Sequence, residues 1–374
     1  MGWIMKYRLG ELFSGPGGLA LGAISAKVQN GSLHSIEHAW SNDFDQSSCD
    51  TYIKNLCPDA PESVICEDVR KLNIDNLAPI DGFAYGFPCN DFSIVGEKKG
   101  FDGNFGPLYL YGVNIINKFK PKFFVAENVG GLSSSGGGKA LEKILNDLSE
   151  SGNGYDLTVH LYNASHYGVP QARNRIIIVG IDKSLRKVFK VPAPTTKDKL
   201  VTAFEALCVP PIPFDATNNE LTNQSATVVE RLKHIKAGEN VWNADLPEHL
   251  KLNVKSAKLS QIYKRLDPNK PSYTITGSGG GGTHCYHWEE PRALTNRERA
   301  RIQSFPDSYE FIGSKELVRK QIGMAVPPKL SEVIFTAILK TFADIQYEHI
   351  PANINHKELN KPTQKGILKE ASRM

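Results

Sequence analysis

Arg8-Leu9-Gly10-Glu11-Leu12-Phe13, followed at once by Ser14-Gly15-Pro16-Gly17-Gly18, is the stretch on which the fold turns. The first six residues read as a strand, and the glycine cluster breaks it before a helical pattern begins. Glycines at such a junction let the backbone approach a ligand closely at the amino end of a helix. Many tight turns share this composition, so the turn alone is weak evidence of a ligand. No Lys-Ser/Thr pair follows the glycines, which excludes a nucleoside-triphosphate loop.

Outward from this stretch, short apolar runs alternate with amphipathic ones. Further strands are expected at Leu33 to Trp40, Ser63 to Cys66, Gly82 to Tyr85, Phe123 to Ala126 and Ile176 to Val179, with helices over Leu108 to Phe119 and Ala140 to Leu148. Strands and helices alternating at this spacing predict an α/β domain, a doubly wound and mostly parallel sheet covered on both faces. Ligands of such sheets bind at the carboxyl ends of the strands. After about Asp182 proline and threonine cluster, at Pro192 to Thr196 and again at Pro210 to Pro213, and a polar, basic stretch of weak periodicity runs to Gly279-Gly280-Gly281-Gly282. Helical patterns return at Thr295 to Gln303 and Leu330 to Phe342. From Ile350 the chain is lysine-rich and reads as a loose tail. No internal repeat is visible.

Composition sets wide bounds. The 374 residues are 40% hydrophobic and 22% charged, which excludes global disorder and a fibrous repeat. No run approaches the ~18 uninterrupted apolar residues of a membrane helix, and the start lacks a signal-peptide pattern. Six cysteines without a C-x-x-C pair argue against a zinc ribbon or a redox couple, and suggest a reducing compartment. A net charge of +4 neither demands nor excludes a nucleic-acid partner.

Side chains capable of chemistry cluster after the expected strands. Asp43, followed by Phe44, ends the second strand, where a carboxylate commonly holds ribose hydroxyls. Asp68 could accept from an adenine amino group, and Phe44 offers a ring face; an N-cap or a solvated loop carboxylate is the bland alternative for each acid. Together they suggest an adenosine-containing cofactor. Gly86-Phe87-Pro88-Cys89-Asn90-Asp91-Phe92-Ser93 follows the fourth strand, and a cysteine at a strand exit is well placed as an exposed nucleophile, although most free cysteines are buried and inert. Glu127-Asn128-Val129 puts a carboxylate at the same sheet edge, able to hold a raised pKa and donate a proton. In Gln171-Ala172-Arg173-Asn174-Arg175, two arginines at alternate positions share a side if extended. They could grip a base carbonyl and a phosphate, or merely cap the sheet.

The order of these pieces resembles that of the DNA (cytosine-5) methyltransferases of the stand-alone prokaryotic or phage type. The motifs are Phe13 to Gly18, Gly86 to Ser93, Glu127 to Val129, Gln171 to Arg175, Arg292 to Glu298 running on through Phe305-Pro306-Asp307, and Gln321-Ile322-Gly323 to Val326-Pro327-Pro328. The resemblance covers about Tyr7 to Leu339 apart from an insertion. Three positions depart from the family pattern: Asn90 stands where Gln is usual, Pro107 where a hydroxyl residue is frequent, and Met324 where Asn is usual.

What the resemblance implies is specific. The fold is the Rossmann-like methyltransferase fold with a smaller target-recognition domain. The divisions expected are a catalytic domain over 1–188, a target-recognition domain over 189–282, a hinge and returning segment over 283–345 and a flexible tail over 346–374. S-adenosylmethionine would be held by Phe13, Gly15, Gly17, Gly18, Asp43, Phe44, Asp68, Val69, Pro88, Leu108, Ala325 and Val326, with S-adenosylhomocysteine as product and no metal. Cys89 would add to cytosine C6, Glu127 would protonate N3, Arg175 would bind O2, and Arg173 would support the nucleotide or its phosphate. The target base must leave the helix stack, with the loop from Phe92 to Asn104 as its lid. Asn90, Ser93, Thr276, Ser278 and Gly280 would touch double-stranded DNA. The resemblance also implies a cytoplasmic monomer (nucleoid-associated, or in a host cell if phage-encoded) with a restriction endonuclease as genetic partner. Rival readings are a transfer-RNA methyltransferase on the same scaffold, a catalytically silent DNA-binding module and a dinucleotide-dependent oxidoreductase.

Overall fold

The computed structural model describes residues 3–88, 108–132, 138–253, 259–280 and 282–355. The chain forms two compact units, the first from Met1–Asn163, Asn174–Pro194 and Ser331–Met374, the second from Ala164–Arg173 and Thr195–Leu330.

The first unit is built on an eight-stranded sheet. In chain order its elements are β1 (Ile4–Leu12), α1 (Gly18–Ser25), β2 (Lys27–Asn30), β3 (Ser32–Asp43), α2 (Gln46–Leu56), β4 (Val64–Cys66), β5 (Gly82–Gly86), α3 (Tyr109–Phe119), β6 (Phe123–Val129), α4 (Lys139–Glu150) and β7 (Tyr155–Asn163). After a two-residue strand β8 (Gln171–Ala172), which belongs to the second unit, β9 (Asn174–Asp182) completes the sheet. The strand order is β2-β3-β1-β5-β6-β9-β7, with β4 also beside β3. Strands β4, β3, β1, β5 and β6 run parallel, and β9 turns the sheet antiparallel against β6 and β7. This is the doubly wound α/β architecture expected from the sequence.

Strand alternation sorts the aromatic side chains onto two faces. Phe83, Tyr85 and Phe124 join Ile115 and Ile116 of α3 and Leu141, Ile144 and Leu148 of α4 in one buried cluster. On the other face Tyr7 and Phe123 pack against Phe342 of α9 (Pro328–Phe342). The apolar side of α9 is therefore core: Ile334, Phe335, Ile338 and Leu339 are all fully buried. The stretch Lys315–Phe342 has the length and mean hydropathy of a membrane span, but charged residues interrupt it and 72% of its most apolar part is buried.

The second unit has little sheet and two apolar clusters. Helix α6 (Ala226–Lys233) contributes Leu232 to a cluster with Ile235, Val241, Leu250, Tyr263 and Tyr286. Helices α5 (Ala203–Cys208) and α7 (Asn296–Ile302) meet Leu266, Ile275, Cys285 and Leu294 in the other. A pair of short strands, β8 and β11 (Ser272–Tyr273), and helix α8 (Lys315–Met324) complete it.

Two expected boundaries change. Residues 283–330 do not return to the sheet domain but pack with the insertion, where Leu266 N–H donates to Tyr286 O at 2.9 Å. The tail is partly docked: His349–Ile350 forms β12 against β10 (Val191–Pro192), Asn353 accepts from Leu161 N–H at 2.7 Å, and Ile354 is buried. The lysine-rich residues beyond 355 lie outside the described residues.

Candidate active site

The parallel strands of the first unit end at one edge, and the glycine turn opens there. Phe13, Gly15 and Gly17 all take left-handed backbone conformations, with φ of 53°, 52° and 86°. Such a conformation is strained for phenylalanine and free for glycine. Gly17 caps α1, of which Gly18 is the first residue. The loop is fixed to β3 by Ser14 N–H, which donates to Asn42 O, and by Gly15 N–H, which donates to Asp43 Oδ2 at 2.8 Å. Asp43 Oδ1 accepts from Asp45 N–H at 3.0 Å. Burial pushes the Asp43 carboxyl up, against the pull of those backbone amides. Asp43 thus organises the loop.

Phe44 projects its ring into solvent at 71% exposure, an open platform for a planar ligand. Val69 is buried beneath the same edge, and Pro88 and Leu108 are half-buried. Asp68 is different: its carboxylate is chelated by the Arg70 side chain and accepts from Arg70 N–H, which holds its pKa down at about 2. An adenine amino group would have to compete with Arg70 for it.

Two features of this edge were not read from the sequence. Ser14 Oγ is buried with no hydrogen-bond partner among the described residues, a polar atom left over in the wall of the glycine turn. Glu11 is buried in β1 beneath that turn, where it accepts from the Tyr52 hydroxyl at 3.2 Å. Burial lifts its pKa to about 8, Tyr52 opposes the rise and Asp43 adds to it. A charged residue within Leu9-Gly10-Glu11-Leu12-Phe13 was the available signal.

Further along the edge, Glu127 leaves β6 beside Arg175, which enters on β9. Arg175 Nε lies 2.6 Å from Glu127 Oε1, with both side chains largely buried. Arg175 Nη1 also donates to Asn174 O at 2.8 Å. Burial presses the Arg175 pKa down and Glu127 holds it up. Gly86, on the neighbouring strand, gives the carboxylate its room, because a Cβ there would stand 3.1 Å from Glu127 Oε2. Asn128 Nδ2 donates to Phe87 O at 3.1 Å and so pins the segment that leads into Pro88. Cys89, Asn90, Ser93, the expected lid from Phe92 to Asn104, and Pro107 lie outside the described residues.

In the second unit the Gln-x-Arg motif does a different job from its neighbour Arg175. Arg173 is 1% exposed and donates to Ile275 O at 2.9 Å and Gly323 O at 2.8 Å. Gln171 accepts from Ile275 N–H at 2.9 Å and donates to Gln303 Oε1 at 2.7 Å, while Gln303 donates to Ile322 O at 2.7 Å. The close approach is tight enough that a Cβ at Gly323 would fall 2.1 Å from Gly277 N. One buried polar network therefore joins the segments 171–173, 275–277, 303 and 322–323. It fixes the stretch carrying Thr276, whose Oγ1 lies 3.0 Å from Ser278 Oγ. Gly280, with φ of 121°, faces open space. Ala325 and Val326 follow α8 and are buried, whereas Met324 is 66% exposed. Among the described residues no group of three or more His, Cys, Asp or Glu side chains is placed to hold a metal.

The described part of this edge thus carries a left-handed glycine turn and a buried carboxylate–guanidinium pair on a doubly wound sheet. The family model for C-5 cytosine-specific DNA methylases matches residues 7–340, and the chain belongs to that family. It is 60% identical over 354 residues to the type II methyltransferase M.BbvI of Brevibacillus brevis, covering 92% of this chain and 94% of that protein. It is 39% identical to the type II methyltransferase M.NgoFVII of Neisseria gonorrhoeae, covering 92% and 89%. A solved structure assigned as a prophage-encoded DNA modification methyltransferase of E. coli matches with a TM-score of 0.69 at 26% identity, over 90% of this chain and 99% of that one. The Dnmt2 methyltransferase of S. pombe matches in fold with a TM-score of 0.53 at 15% identity, over 90% and 98%.

Proposed function

We propose that the chain methylates C5 of cytosine within a short sequence of double-stranded DNA, using S-adenosylmethionine and a transient covalent bond between Cys89 and C6 of a base turned out of the duplex. The observation that carries this reading is the Glu127–Arg175 pair, 2.6 Å apart and buried at the edge where β5 runs out toward Cys89. C5 of cytosine is a poor nucleophile. Addition of a thiolate to C6 makes C5 enamine-like, provided the ring does not accumulate negative charge. Glu127 is suited to protonate N3, and Arg175 to donate to O2, so the pair would answer the charge developing on both atoms. Loss of the C5 proton and of the Cys89 thiolate then restores the aromatic ring.

When bound, S-adenosylmethionine supplies a methyl group made electrophilic by its sulfonium. The orphaned Ser14 Oγ, and the close backbone approach that the glycine turn allows at the amino end of α1, suit a polar ligand. Phe13, Gly18, Asp43, Phe44 and Val69 would complete its seat in the first unit, with Pro88 and Leu108 at its margin. Arg173 is read here as a positioning residue: through Ile275 O and Gly323 O it holds the segment of Thr276, Ser278 and Gly280, the residues proposed to meet DNA. Kinship with type II methyltransferases supports a role as the protecting partner of a restriction endonuclease, acting as a cytoplasmic monomer.

Duplex DNA carrying 5-fluorocytosine tests the reading, because fluorine at C5 blocks the final elimination. Incubation with the protein and S-adenosylmethionine should give a covalent adduct that survives denaturation, absent in Cys89→Ser. Adducts on transfer RNA but not on DNA would move the activity to the RNA reading.

A further inference from the structure

Several buried arginines in the second unit spend most of their donors on backbone carbonyls. Arg265 donates to His287, Leu232, Ile235 and Glu290 carbonyls, and Arg297 to those of Thr217, Pro306 and Tyr309. Arg319, only 8% exposed, makes no hydrogen bond to any described residue, and its Nε is sealed from solvent. Arg299, 2% exposed, has two long contacts of 3.4 Å, to Leu294 O and to His284 Nδ1. The two guanidinium groups lie close enough to oppose each other's charge. No carboxylate among the described residues forms a salt bridge with either, although Glu298 lies near enough to Arg299 to hold its pKa up in part. Glu298 is taken by Arg292 and by the cap of α7, and Glu316, in the first turn of α8, interacts with His284.

The glycine-rich loop lies directly against this cluster. A Cβ at Gly279 would stand 2.4 Å from Arg319 Nε and 2.8 Å from His284 Cε1, so glycine there lets the loop backbone sit on the guanidinium without covering it. His284 is kept neutral, its pKa pushed down to about 4 by burial and by the two arginines. With Nδ1 accepting from Arg299, its proton sits on Nε2 as one more donor.

Buried charge without a partner is costly enough that folded proteins supply one. We infer that Arg299, Arg319 and His284 form a cradle for one phosphodiester group of the DNA backbone beneath the glycine-rich loop. A base edge offers only neutral acceptors and would leave both cations uncompensated, whereas a phosphodiester brings the missing negative charge and oxygens matched to forked donors. Arg319 would make the direct contact, with Arg299 and His284 behind it. The inference rests on the reading of DNA as substrate.

Salt-dependent binding tests it. The full chain is titrated with a duplex containing its methylation site and with one lacking it. Arg319→Gln should weaken both equally, by roughly tenfold, and lower the slope of log affinity against log salt by about 1. Lost discrimination between the duplexes at an unchanged slope would assign Arg319 to base reading and overturn the cradle, as would unchanged binding. Gly279→Ala, which drives a methyl group into Arg319, should act in the same direction and serves if Arg319→Gln does not fold. Inorganic phosphate gives a readout independent of DNA. It should raise the thermal midpoint of the wild type more than that of Arg319→Gln; an equal response overturns the cradle. Wild-type protein that shows this phosphate difference yet binds no duplex would sink the DNA reading and leave the anion site standing.

Discussion

Removing either member of the Glu127–Arg175 pair leaves the other charge buried without its partner, a change that costs about 3–5 kcal/mol at fully buried sites. Glu127→Gln and Arg175→Met should each lower the thermal midpoint, and the double variant should recover much of that loss because no lone charge remains. Activity should not follow stability: kcat/KM should fall by about 10²-fold or more in both single variants and stay down in the double. Recovery of activity together with stability would make the pair structural. Glu11 supports a prediction of pH dependence. Its pKa rises from the ordinary carboxyl value to about 8 in the fold, so the native state keeps a proton that the unfolded chain has already lost. Its stabilising contribution is therefore complete below about pH 4.5 and declines as pH rises to about 8. Glu11→Gln, neutral at every pH, should lie close to the wild type at pH 5 and exceed it at pH 8.5 by on the order of 4 kcal/mol, read from thermal unfolding. At this scale the sequence announced the groups but not their partners. Asp43 and Asp68 both looked like ligand carboxylates, yet Asp43 is engaged by loop amides and Asp68 by Arg70. Those partners depend on turn geometry that spacing does not encode.

The sheet is held in register by glycines facing aromatic rings. Gly10 is paired with Trp40, Gly82 with Phe123 and Gly180 with Phe124, and a Cβ at each would fall 2.2–2.4 Å from the nearest atom of that ring. Each ring lies over the vacant side-chain position of its cross-strand neighbour, and it fills the core that the glycine leaves empty. Gly180→Ala should therefore destabilise the first unit by about 1–3 kcal/mol. Phe124→Leu, costly alone, should cost less in the Gly180→Ala background, a coupling measured by a double-mutant cycle; strict additivity would contradict the packing. The strands flanking the site were legible because their apolar runs are short, dense and bounded by glycine or proline. Strand β7 was missed although Tyr155, Leu157, Val159 and Leu161 alternate with Asp156, Thr158 and His160, the pattern of a strand rather than the dense apolar run of its neighbours. Helix α8 was missed because Val318 and Ile322 are too sparse a stripe, its other buried side chains being Arg319 and Gln321.

At the scale of the whole chain, the division into two units follows contacts rather than sequence order. The chain leaves the sheet unit after Asn163, returns at Asn174, leaves again after Pro194 and returns at Ser331. The proline-rich clusters announced the second departure. Nothing in composition announced the first, so Arg173 and Arg175, alternate residues of one motif, belong to different units and carry different work. The return was expected too early, at 283, because helical patterning resumes near Thr295 while the buried Gln171–Gln303 network keeps that helix with the second unit. Methylation of cytosine in duplex DNA is measured directly at this scale. A duplex of random sequence is incubated with the protein and S-adenosylmethionine, then sequenced after bisulfite treatment, with Cys89→Ser alongside. Cytosines protected in one short sequence context, and converted in the Cys89→Ser sample, are the predicted result. Uniform conversion by a protein that binds S-adenosylmethionine would contradict it.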